Sequence, residues 1–274
     1  MADQAAAVIY PELHTRMVSW WLCHAWRGLD LLEDTIENLW RWRIASGAVT
    51  GRALIEEAAS LNDEARKLGE AWKTGKITPA GELSRPQAVR DTLAPILLHA
   101  SFGSRTKESL ATLQATNVLT LVKKLGKQTA GGENVLHWYD WLSDAAHPAF
   151  GSRIAYSSPP IGHQSRAVMM RVYARSPLSL VGKGSTQDLE PTIALAVADS
   201  LILSGKVITG LLEQSLALVD DFGLTTSAAT LTRRSYWRNF VPTRGGRQCP
   251  CGRGRWSDCR HRWGGLAPVV ATPN

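Results

Sequence analysis

A chain of 274 residues, 44% hydrophobic and 20% charged, holds enough apolar side chains for a sizeable core, which excludes wholesale disorder. No uninterrupted apolar run approaches the roughly 18 residues of a membrane span; the best, at 193–203, is broken by Asp199. The formal charge of +7 is unevenly placed: residues 231–274 hold nine Arg, no Lys and one acid, Asp258, whereas residues 1–230 hold 22 bases and 23 acids. A basic tail on a near-neutral body points to an acidic partner: nucleic acid, a ribosome or an acidic protein surface. Met1-Ala2-Asp3-Gln4 supplies neither the basic nor the apolar part of a signal peptide, so no membrane association and a cytoplasmic location are expected.

Taken in order, the chain reads as mainly α, with an N-terminal bundle of six or seven helices over 1–222. The first helix is expected over 11–44. Leu22, Leu29, Leu32, Ile36 and Leu39 recur at helical spacing, with Asp30, Asp34, Glu37 and Arg41 as a polar stripe and Gly47 as the stop. Cys23, among Trp20, Trp21 and Trp26, reads as a buried structural thiol. A second helix is expected over 50–73, ended by Gly75. Ser84 is a good N-cap for a third, with Pro86 in its first turn and Pro95 set to kink or end it. A fourth is expected over 105–125.

Ala130-Gly131-Gly132 leads into a fifth helix over 133–146, which Pro148 stops at His147. Residues 148–163 read as a loop, and 166–173 as either a short strand or a buried turn. The last helix is expected over 189–219, with Leu195, Ala198, Ile202, Ile208, Leu212 and Leu216 as its core face and Gly223 as its end. Residues 223–247 read as a basic linker, 248–264 as a small knuckle and 265–274 as a disordered tail.

The knuckle holds the clearest chemistry. In Cys249-Pro-Cys251-Gly-Arg-Gly-Arg-Trp-Ser-Asp-Cys259-Arg-His261, three thiolates and one imidazole make a Cys₃His set suited to one tetrahedral zinc ion. Four protein ligands fill the coordination sphere, so the site reads as structural and not catalytic. Arg247, Arg253, Arg255, Arg260 and Arg262 surround it with Trp256 and Trp263, and basic residues interleaved with aromatics can grip phosphates and stack on bases.

Cys-Pro-Cys-Gly-x-Gly with a late Cys/His pair resembles the SEC-C zinc motif, a tail found on many otherwise unrelated bacterial proteins. The resemblance covers residues 248–263 and implies a zinc-binding module that contacts a partner such as a chaperone or the ribosome. The third ligand departs from that pattern: seven residues separate Cys251 from Cys259, and Arg260 precedes His261.

In the body, His137, Asp140, Asp144 and His147 follow steps of three, four and three, one polar stripe on a helix. Tyr139, Ser143 and His147 also stand close together at four-residue steps. A His flanked by carboxylates suits a general base or a metal ligand, while an amphipathic helix needs a polar face in any case. The string Tyr-x-x-Leu-Ser-x-x-x-His-Pro is similar to a signature of all-helical bacterial proteins distantly like the HEPN ribonucleases. Those enzymes place an Arg four to six residues before the His. Here Asp140 and Trp141 occupy that place, so the resemblance implies a nuclease lacking its arginine. The two functional expectations are partner recognition through the tail and, alternatively, ribonuclease chemistry at His147.

Overall fold

The computed structural model describes residues 2–77, 84–104, 106, 110–148, 156, 161–163, 166–170, 189–228 and 255. The protein is mainly helical, with six α-helices among the described residues: α1 Ala2–Trp40, α2 Ile44–Ile77, α3 Ser84–Phe102, α4 Val118–Gln128, α5 Val135–Ala146 and α6 Leu189–Ala228. A two-stranded antiparallel ladder lies between α5 and α6. It pairs β1, Ile161–His163, with β2, Arg166–Met170, and aligns Ile161 with Met170. The ambiguous segment at 166–173 therefore begins as a strand.

Several element ends differ from expectation for local reasons. The first helix stops at Trp40, well before Gly47. Its last turn closes when the Arg43 N–H reaches the Asn38 carbonyl at 2.7 Å, with Trp42 in the left-handed region at φ 53°. This is the hydrogen-bond pattern of a glycine-terminated helix, made here without glycine. Gly47 and Gly75 both lie inside α2. Pro95 does not end α3: Leu93 and Leu97 on either side of it are fully buried, which offsets the roughly 3 kcal/mol a helical proline costs.

The fourth helix starts at Val118, thirteen residues later than expected. Ser104 bridges Gln114, the Ser104 Oγ accepts from the Thr106 N–H at 3.2 Å, and a 3₁₀ turn, Ala111–Leu113, follows. Asn117 then caps α4 by accepting from the Leu119 N–H at 2.9 Å. Gly223 does not end α6 either. It is a close approach: a Cβ there would come 2.9 Å from the His14 ring.

The chain divides into two compact units. Unit one takes 1–18, 71–95 and the chain from 217; unit two takes 19–70 and 96–216. In unit one Phe222 is fully buried, with the Trp72 ring 4.7 Å away edge-on and the His14 ring stacked at 6.2 Å. Trp72 keeps its indole N–H satisfied by donating to Asp221 at 2.8 Å.

In unit two Leu54, Ile55, Ala58 and Leu61 of α2 are buried, as are Val122 and Leu125 of α4 and Leu142 of α5. Lys124 of α4 reaches Asp63 of α2 at 3.0 Å. Burial disfavours the Asp63 charge, but bonds from Lys67 and Lys124 hold its carboxyl below the usual range. Gly131, at φ 77°, makes the turn from α4 to α5.

Two sequence expectations about packing fail. Cys23 is exposed, because Trp20 and His24 occupy the inward side of that turn. On α6, Leu195, Ile202 and Leu216 of the expected core face are exposed, Ala198 and Leu212 are half-buried and Ile208 is buried as expected; Ile193, Val197, Ser200, Ser204 and Ser215 are buried as well. Ile193–Thr226 of α6 is also long and apolar enough to cross a membrane by length and composition, with a mean hydropathy of 1.6 in its most apolar window. Counting uninterrupted runs misses this, since isolated charges such as Lys206 and Glu213 break a run without much lowering its mean.

Candidate active site

Four of the six residues singled out in this stretch of sequence line an open cavity of about 710 Å³ in unit two. Tyr139, Asp140, Ser143 and His147 line it from α5, and Gln114 and Asn117 from the segment leading into α4. Asp144 is half-buried and is not part of the lining, and His137 is exposed, its Nε2 accepting from the Trp141 indole at 3.1 Å. Of the proposed stripe, Asp140 and His147 therefore reach the cavity. Among the described residues no group of three or more His, Cys, Asp or Glu is placed to hold a metal ion.

The residue that changes the chemistry comes from α2. Arg52 extends its guanidinium to His147, Nη1 to Nε2 at 3.2 Å. A guanidinium only donates, so this bond leaves Nε2 as the lone-pair nitrogen and puts the ring proton on Nδ1. That tautomer presents a base. Arg52 also bonds Glu56 at 3.1 Å and lies 5.3 Å from the Tyr139 ring centroid.

The Tyr139 hydroxyl donates to Glu56 at 2.8 Å. Burial and this carboxylate both push the phenol above its ordinary value, so Tyr139 stays a neutral donor. The buried Ser143 Oγ, which also lines the cavity, has no hydrogen-bond partner among the described residues. Arg52 carried no sequence signal for this role, since 95 residues separate it from His147. Its one local signal was an Arg-x-x-x-Glu pair, which most surface helices contain.

A second polar cluster was also missed. His24 of α1 bonds Glu57 through Nδ1 at 2.5 Å and Glu64 through Nε2 at 3.0 Å. Trp20 and Ser60 add donors to Glu64, and Arg27 bonds Glu57 at 2.9 Å. Every group in this cluster is engaged, and it joins α1 to α2.

The proposed metal ligands Cys249, Cys251, Cys259 and His261 lie outside the described residues. So do Arg247, Arg253, Trp256, Arg260, Arg262 and Trp263; Arg255 is described and exposed. Compared with known proteins, the chain matches no family model, no curated protein and no solved structure.

Proposed function

We infer that unit two carries an RNA-cleaving site that works with its own side chains. The observation that carries the reading is the Arg52–His147 pair at 3.2 Å on the wall of the cavity. It supplies across space the arginine that the sequence around His147 lacks. Nε2 of His147 takes the proton from a ribose 2′-hydroxyl as that oxygen attacks the adjacent phosphorus. Arg52 turns from the imidazole to the phosphoryl oxygens and offsets the charge that grows there. The 5′-oxygen leaves with a proton returned from the imidazolium, giving a 2′,3′-cyclic phosphate and a 5′-hydroxyl. Asn117 and Gln114 offer amides to the base or ribose.

A second reading rests on the charge split, nine arginines after residue 230 on a body of near-zero net charge. In it the protein recognises an acidic partner through a SEC-C-like tail, with one structural zinc on Cys249, Cys251, Cys259 and His261. Three thiolates and an imidazole suit zinc by number and softness.

Incubating the full chain with a mixed RNA pool, with and without chelator, separates the two. Cleavage that persists in chelator, yields cyclic phosphate ends, spares DNA and falls at least about 100-fold in His147→Ala and in Arg52→Ala carries the first reading. RNA binding without cleavage leaves the second. Metal analysis tests the zinc directly: one equivalent is expected, and none in Cys249→Ser/Cys251→Ser, whose helical signal should be unchanged.

A further inference from the structure

We propose that the outer face of the α1–α6 pair in unit two is the contact surface for a second copy of this chain. Trp26, Leu29, Ile36 and Trp40 of α1 are 62%, 53%, 54% and 89% exposed, and Leu195 and Ile202 of α6 are 64% and 56% exposed. On α1 these positions, with Glu33 between them, fall at steps of three and four, the seam pattern of a helix that packs against another helix. On α6 they repeat at seven. Trp21 donates to the Leu212 carbonyl at 2.8 Å, Gly28 lies against Ile208 and Leu32 against Gly205, so the two helices run antiparallel in contact.

Each exposed row lies about a quarter turn from that contact line. In an antiparallel pair, equal turns in the same sense bring both rows to one side. The opposite side of α1 is taken by α2, through His24 and Arg27 to Glu57. The six side chains thus form one patch.

Its size and charge argue for the occupant. Six such side chains, more than half exposed, present on the order of 700 Å², about what each partner of a stable dimer buries and more than an ordinary monomer leaves open. A two-helix face doubled about a two-fold axis completes a four-helix bundle. An axis lying in the plane of the face, parallel to the helices, lays α1 of one copy on α6 of the other, which sets Glu33 toward the helix that bears Lys206. Asp30, Glu33, Asp34 and Glu37 run along the same part of α1, a charge that an anionic lipid surface repels.

The test is the mass of the full chain in solution, by light scattering or sedimentation, up to its highest soluble concentration. The expected species has twice the 29.9 kDa chain mass. Ile36→Glu/Ile202→Glu, both at exposed positions, should be monomeric with an unchanged helical spectrum, and Trp40→Glu should raise the dimer dissociation constant at least tenfold. Three results overturn the proposal: a wild-type chain that stays monomeric throughout, a dimer that survives the double substitution, or a monomer that binds neutral lipid vesicles and loses that binding in the double variant.

Discussion

A buried imidazole, His14, and a half-buried one, His24, titrate in opposite directions. Burial opposes charge on His24, but bonds to Glu57 and Glu64 outweigh it and raise the group to about 9. Burial pushes His14 down to about 4, against a bond to the Val219 backbone that favours charge. Both return to about 6.5 on unfolding. Between 6.5 and 9 the folded state holds the His24 proton that the unfolded chain releases, so this contribution is complete below 6.5 and lost as pH rises to 9. Between 6.5 and 4 the unfolded chain takes up a proton that folded His14 refuses, so stability is lost as pH falls through that window. Each limb amounts to at most about 3 kcal/mol. Urea unfolding from pH 4 to 9.5 should peak near 6.5; His24→Gln should flatten the alkaline limb and His14→Phe the acid limb. Stability that climbs steadily to pH 9 would contradict the assignment of His24.

At the level of elements, the residues that make turns carry the testable stability. Gly131 at φ 77° has open space where a Cβ would sit, so Gly131→Ala meets no neighbour, and its cost is the strain of holding an L side chain in the left-handed region. It should lower unfolding free energy by about 1–2 kcal/mol. Asn117→Ala removes the α4 cap and should lower it by about 1 kcal/mol, while Asn117→Asp retains the cap. A glycine effect under a few tenths would mean the turn relaxes.

The same positions show what the sequence made legible. The starts at Ser84 and Leu189 and the end at Ala146 were readable, because caps, prolines and periodicity agreed there. The end of α1 was not, because Trp42 adopts a conformation that usually marks glycine. The core face of α6 was not either. That helix is apolar on most sides, and Ser200 and Ser204 share the buried side with Ile193, Val197 and Ile208 while Leu195 and Leu216 face outward. Of the cavity, the α5 wall was legible as steps of four. Arg52 was not, since only the packing of α2 beside α5 brings it to His147.

At the scale of the whole chain, the two proposed activities, capture of a polyanion by the basic tail and cleavage in unit two, can be tested separately. If about six of the nine arginines beyond residue 230 each neutralise one phosphate of a single strand, log affinity should fall with log salt at a slope near −4. That is roughly two orders of magnitude between 50 and 200 mM salt. A chain ending at residue 228 keeps α1 to α6 whole, so its helical signal should match the full protein. It should lose the steep salt dependence, and its RNA binding should weaken by a similar factor. The cavity with Arg52 and His147 remains in it, so for cleavage the deletion should raise KM while leaving kcat within a few-fold. Equal losses in kcat would place part of the reacting machinery in the tail. Unchanged RNA binding would move capture to unit two, where Arg52→Ala would then weaken binding as well as turnover.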